Sequence, residues 1–127
     1  MDREELASKV VDCAYHLYRD VGPGLLESVY ETVLAKRLCD IGLSVERQRP
    51  VAVEIDGIAF GDAFRLDLLV NRSLLVEIKS VERLSPLHIK QVLTYLRCMN
   101  LPLGLLINFG GDSYKEGVKR VMNNHRR

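Results

Sequence analysis

The sequence predicts an α/β fold: a mixed β-sheet flanked by helices, with elements in the approximate order α-α-β-β-β-α-β-α. Three observations predict it. Apolar residues recur at helical spacing along the N-terminal third. Residues 64–81, FRLDLLVNRSLLVEIKSV, alternate apolar and polar with period two about a central Asn71-Arg72-Ser73 turn, the pattern of a β-hairpin. A helix with a clear start signal then separates this hairpin from a near-continuous apolar run at residues 101–109. That is the pattern of a crossover leading to a strand buried on both faces.

Each element has its own warrant. Glu4 to Asp20 reads as a helix from Leu6, Val10, Cys13, Ala14, Leu17 and Val21. Val21-Gly22-Pro23-Gly24 breaks it. A second helix runs from Leu25 to Ile41, burying Leu26, Val29, Tyr30, Val33, Leu34 and Leu38, and Gly42 ends it. Val45 to Ile55 is a strand, Asp56-Gly57 is a hairpin turn, and Ile58 to Phe60 is a short answering strand. In the next strand Phe64, Leu66, Leu68 and Val70 take one face, with Arg65, Asp67 and Leu69 on the other. Leu74, Val76 and Ile78 then alternate with Leu75, Glu77 and Lys79. Ser85 as N-cap and Pro86 at the first helical position open a helix to Met99. After the strand at 101–109, Gly110-Gly111-Asp112-Ser113 is a break, and Tyr114 to Asn123 reads as a last helix.

With 127 residues, 47% of them apolar, the chain reads as one domain, 1–127, with a sizeable core. No apolar run is long enough to span a bilayer, and the N-terminus MDREELASKV has no signal-peptide character. Cys13, Cys39 and Cys98 are odd in number and widely spaced. They fit neither a zinc site nor a disulfide framework, and read as small core residues in a reducing cytoplasm. A net charge of +1 gives no bulk attraction to nucleic acid, so any basic surface is local. Its candidates are Arg47, Arg49, Arg83, Lys90 and the tail from Lys115 through Arg127, each with solvated surface charge as the plain alternative.

The chemistry concentrates in the hairpin. Glu77 and Lys79 share a strand face, and folding at Asn71-Arg72-Ser73 brings Asp67 beside them. Charges in so apolar a hairpin are costly unless they pair or bind a cation. Two acids that hold a divalent metal, with a lysine beside an attacking water, are equipment for hydrolysing a phosphodiester. The alternatives are a salt bridge from Asp67 to Arg65 or Lys79, and a Lys79 that only neutralises Glu77.

This spacing resembles the PD-(D/E)XK nuclease superfamily, in which an aspartate precedes E-x-K across a hairpin. Gly24, Glu27 and Tyr30 in GLLESVY resemble the signature of the GxxExxY protein family, a branch of that superfamily. Gln91 and Tyr95 in QVLTY resemble its Q-x-x-x-Y helix, and LGLLINFG at 103–110 the strand that follows. The ordered blocks cover Val10 to Gly110. Leu66 stands where the superfamily name has proline, while Asp67, which the chemistry needs, is present.

The resemblance implies a restriction-endonuclease-like fold and a Mg²⁺- or Mn²⁺-dependent nuclease acting on nucleic acid, DNA before RNA. Asp67, Glu77 and the backbone carbonyl of Ile78 would hold the metal with Glu27 nearby, Lys79 would act on the water, and Gln91 would help place it. Tyr30 and Tyr95 would support substrate binding, as would the local cations Arg49, Arg83 and Lys90. By analogy with small nucleases, a homodimer is expected. For Glu27 a helix-dipole role stays open, and for the stripe of His88, Gln91 and Tyr95 a solvent-facing role does. For His88 alone a cap or surface role is preferred. The alternative function is a non-catalytic module that binds nucleic acid or protein on the same fold.

Overall fold

The structure, a computed structural model, describes residues 1–124; His125, Arg126 and Arg127, the end of the basic tail, lie outside the described residues. The chain forms α1 (Arg3–Val21), α2 (Glu27–Asp40), β1 (Val45–Ile55), β2 (Ile58–Val70), β3 (Leu74–Lys79), α3 (Pro86–Met99), β4 (Leu103–Asn108) and β5 (Val118–Met122). The strands make one sheet in the order β1-β2-β3-β4-β5, with β3 and β4 parallel and every other pair antiparallel. The parallel pair is joined through α3, as a crossover requires.

Local chemistry sets the helix ends. Asp2 caps α1 by accepting the Glu5 N–H at 2.8 Å. Gly22 (φ 81°) stops α1, and Gly42 (φ 90°) lies just past α2, both in the left-handed region where glycine is unstrained. At α3 the Ser85 N–H donates to His88 Nδ1 at 3.0 Å, so His88 serves as a helix cap.

Two apolar layers sandwich the sheet. On one face α1 and α2 pack Leu6, Val10, Leu17, Leu34 and Leu38 against Leu68, Val76, Ile78 and Leu105. On the other, α3 packs Val92 and Leu96 against Leu66, Leu69, Leu75 and Leu106. All six residues of β4 are buried, which explains its continuous apolar sequence.

Five expectations are corrected. Leu26 and Val29, expected on the buried side of the second helix, are exposed, because α2 begins only at Glu27 and turns Tyr30, Leu34 and Leu38 to the core. Tyr114 to Asn123 is not a helix: a 3-10 turn at Lys115–Gly117 leads into β5, which satisfies the outer edge of β4. The short strand at Ile58 is the start of the long β2, because residues 58–60 and 64–66 both pair with β1, the register shifting between Val51 and Val53. Cys39 and Cys98 are exposed, and only Cys13 is half-buried against the core. Finally, Leu66 does not share a face with Leu68 and Val70. Phe64 and Leu66 pack on the α3 side, whereas Leu68 and Val70 face α1 and α2. The alternation therefore slips by one residue at Asp67. β1 slips with it: Val51 and Val53 belong to the α3 side and Val45 to the other. The break in β1 falls at Gln48, whose φ of 49° is left-handed.

Candidate active site

The site grows out of that double slip. On one side of β2 the ladder to β1 pairs Arg47 with Leu68 and Arg49 with Leu66, leaving Gln48 and Asp67 facing each other between those rungs. On the other side, pairing with β3 stops at Leu68 and Val76. One residue further along, side chains replace the ladder. The Asp67 N–H donates to Glu77 Oε2 at 2.7 Å, and the Ile78 N–H donates to Asp67 Oδ2 at 2.8 Å. The strands thus part around two interlocked carboxylates, and backbone donors that the split would orphan are satisfied.

Burial makes this pair electrostatically poor. Glu77 is 4% exposed, and its pKa is pushed up to about 8, first by burial and then by the Asp67 charge. Asp67 is also raised, first by burial, with the nearby Glu27 charge adding to the shift; hydrogen bonds from Ile78 and Gln48 oppose it. The Lys79 charge lowers both acids, yet Lys79 forms no close ion pair with either among the described residues. Arg65 pairs instead with Asp62 at 2.9 Å. Neither salt-bridge alternative for Asp67 is therefore realised as a close contact.

Glu27 is the first residue of α2, earlier in the helix than its spacing suggests, because Leu26 is still extended (φ −70°, ψ 151°). It lines a cavity of about 710 Å³ with Asp67, Glu31, Gln48 and Ser80. Gly24, at φ 115°, allows the turn into α2. Ser80 Oγ donates to the Leu25 carbonyl at 2.6 Å, tying the end of β3 to the approach to Glu27.

A family model for the PD-(D/E)XK nuclease superfamily matches residues 4–121. The chain belongs to this superfamily. The five-stranded mixed sheet with its flanking helices agrees with the restriction-endonuclease-like α/β fold. No curated protein and no solved structure matches. Asp67 and the segment Glu77 to Lys79 lie where the sheet splits.

Other expected residues fall in different places. Tyr30 is 1% exposed, so it has no surface to offer a substrate. Its ring stacks on Phe109, its hydroxyl donates to the Gly22 carbonyl at 2.6 Å, and the Leu25 N–H donates to it at 3.1 Å. It braces the turn rather than pointing to the site. Tyr30→Phe is expected to lower stability by about 1–3 kcal/mol, the cost of leaving buried polar groups unpaired. Denaturant unfolding checks this.

Tyr95 is half-buried in α3, stacked on Phe64 with ring centroids 4.1 Å apart. Its phenol pKa is raised by burial and then by the charges of Glu77 and Asp67, so it feels the acids from the α3 side. Gln91 lies a turn earlier, exposed, with no hydrogen bond to either acid among the described residues. Arg49 pairs with Glu46 at 2.8 Å. Arg83 lines a separate cleft beside Asn108 and Lys119, and Lys90 is exposed on α3.

Two residues of the site escaped the sequence reading. Glu31 is buried at 6% exposure and accepts hydrogen bonds from Gln48 Nε2 at 2.6 Å and from Arg47 at 3.2 Å. Its position one turn after Glu27 on the same helix face was the available signal. Gln48 carried no signal, because no local pattern marks a glutamine for left-handed backbone.

The donor set suits a hard cation. Among the described residues no three His, Cys, Asp or Glu side chains form a ready metal cage. Asp67 and Glu77 nevertheless supply oxygen donors in a buried spot that is short of positive charge. Mg²⁺ is commonly held by one or two carboxylates while keeping several waters, so these residues fit it.

Proposed function

We propose that this chain is a metal-dependent nuclease of the GxxExxY branch, hydrolysing phosphodiester bonds in nucleic acid, with DNA the first candidate substrate. The observation that carries the reading is the interlocked pair of Asp67 and Glu77 at the split between β2 and β3, with Lys79 beside them and in no close ion pair with either acid. Gly24 at the turn, Glu27 at the cavity and Tyr30 bracing the loop between them support the GxxExxY assignment.

Asp67, Glu77 and the Ile78 carbonyl would hold Mg²⁺ or Mn²⁺, with Glu27 on the cavity wall. When bound, the ion polarises the phosphate and offsets its charge. The Lys79 ammonium donates hydrogen bonds to the attacking water and to a non-bridging phosphate oxygen. Gln91, from α3, helps place that water. Hydrolysis forms one bond from the water oxygen to phosphorus and breaks one ester P–O bond; the water gives up one proton to solvent and the leaving alkoxide takes one up from solvent. Tyr95 borders the site from α3, while Arg83 and Lys90 offer distal phosphate contacts. The free cysteines accord with a reducing cytoplasm, and a homodimer would present two sites to two strands.

A second reading, a non-catalytic binding module, draws support from a net charge of +1 and from Arg47, Arg49 and Arg65, all paired with acids. A Mn²⁺ titration followed by melting temperature, run beside cleavage of a mixed pool of single- and double-stranded oligonucleotides, decides between them. The nuclease reading expects the metal to raise the melting temperature and the pool to be cut. A protein that shows neither at millimolar metal is not a metal nuclease.

A further inference from the structure

Gln48 joins the acidic site to α2 in a way that stability alone does not require. Its backbone sits at φ 49°, a conformation that suits glycine or asparagine better. Its side-chain nitrogen donates to Glu31 Oε1 at 2.6 Å and to Asp67 Oδ1 at 3.2 Å. Glu31 is held from the far side by Arg47, which also donates to Thr32 Oγ1 at 2.8 Å. The other Asp67 oxygen takes the Ile78 N–H from β3. Both oxygens of Asp67 are therefore pinned, one by the β3 backbone and one by an amide anchored on α2.

We propose that Gln48, anchored by Glu31, is a positioning residue that fixes the orientation of the Asp67 carboxylate for the divalent cation. This inference rests on the metal-dependent reading given above. The chemistry of the residue supports it. With two N–H donors, a carboxamide bridges two carboxylates without cancelling their charge. A lysine there would put a permanent cation against Asp67 and compete with the metal. A glutamate would add another negative charge to a cluster in which Glu77 already resists ionisation. A glycine would relax the backbone but release Asp67 Oδ1. The neutral donor leaves the acids negative and one of them aimed, as outer partners of metal ligands do.

The test is Gln48→Gly, which removes the amide while suiting the left-handed backbone, with Gln48→Asn beside it. Asparagine keeps a carboxamide and tolerates the same φ, but is shorter. Melting temperature without metal and Mn²⁺ affinity by calorimetry, without nucleic acid, are the readouts. The positioning role expects Gln48→Gly to melt near the wild-type temperature, because the relieved left-handed backbone offsets most of the lost hydrogen bonding, and to bind Mn²⁺ about 10–100-fold more weakly, the usual cost of losing such a partner. Gln48→Asn should fall between the two. Unchanged Mn²⁺ affinity in Gln48→Gly overturns the proposal. So does a metal-free Gln48→Gly that melts far below wild type, which would make Gln48 a structural brace. If the wild-type protein itself binds no Mn²⁺, the underlying metal-dependent reading has failed, and this inference falls with it.

Discussion

Lys79→Met is expected to remove cleavage while leaving the fold standing. Lys79 ends β3, half-buried, and its charge lowers the pKa of both Asp67 and Glu77. It makes no close ion pair with them among the described residues, so its ammonium is not tied up as a structural counterion. Methionine keeps much of the stem's volume and loses only the charge. In Mg²⁺ the variant should melt near wild type, because the cation offsets the acids. Cleavage of the oligonucleotide pool should fall at least roughly 100-fold, the scale of one acid–base or charge-stabilising group. A purely structural lysine predicts a different outcome: removing one partner of a buried pair costs about 3–5 kcal/mol. A Lys79→Met protein that unfolds in Mg²⁺, from a wild type that never cuts, would show that the cluster is architecture.

The second large effect is in pH. Without metal, Glu77 should titrate near 8 rather than near its ordinary 4.5. The folded state then holds its proton more tightly than the unfolded state does. Its contribution to stability is fully present below pH 4.5 and is lost as pH rises through about 8. The loss is on the order of a few kcal/mol, a pKa unit being about 1.4 kcal/mol. Denaturant unfolding in a chelator should show metal-free stability falling across that window. Metal binding should run the other way, strengthening as pH rises, because carboxylate ligands must be ionised to bind. Asp67→Asn removes the neighbouring charge that helps raise Glu77. It should flatten the metal-free slope and abolish stabilisation by Mn²⁺. An unchanged slope in Asp67→Asn would mean that the two carboxylates are not coupled.

Much of this protein was legible in its sequence because the relevant signals are local. The helix start at Ser85, the stops at Gly22 and Gly42, and the doubly buried β4 all follow from residue type and spacing, whereas the Asp2 cap of α1 is seen only in the structure. The placement of Asp67 opposite Glu77 follows from the Asn71-Arg72-Ser73 turn, since a fixed loop length fixes hairpin register. The family resemblance added the expectation of Glu27 at the site, and the structure puts Glu27 on the cavity that Asp67 lines. The C-terminal strand was read as a helix because VKRVM is too short for periodicity to separate the two, and a 3-10 turn at Lys115–Gly117, rather than a tight hairpin turn, leads from β4 into it.

What only the tertiary structure decided is the shape of the site. Period two carried across Asp67 puts Leu66 and Leu68 on one face, but packing against α3 on one side and against α1 and α2 on the other takes them apart. That slip requires left-handed backbone at Gln48, opens β2 from β3, and turns two carboxylates into acceptors for backbone donors. It also draws buried Glu31 into the network. Separately, the packing of α2 against α1 turns the Tyr30 hydroxyl to the Gly22 turn. The sequence determined which groups are present and which strands carry them. Their hydrogen-bond partners, their burial and the resulting pKa of Glu77 depend on contacts between α2, β1, β2 and β3, which only close packing of distant segments creates.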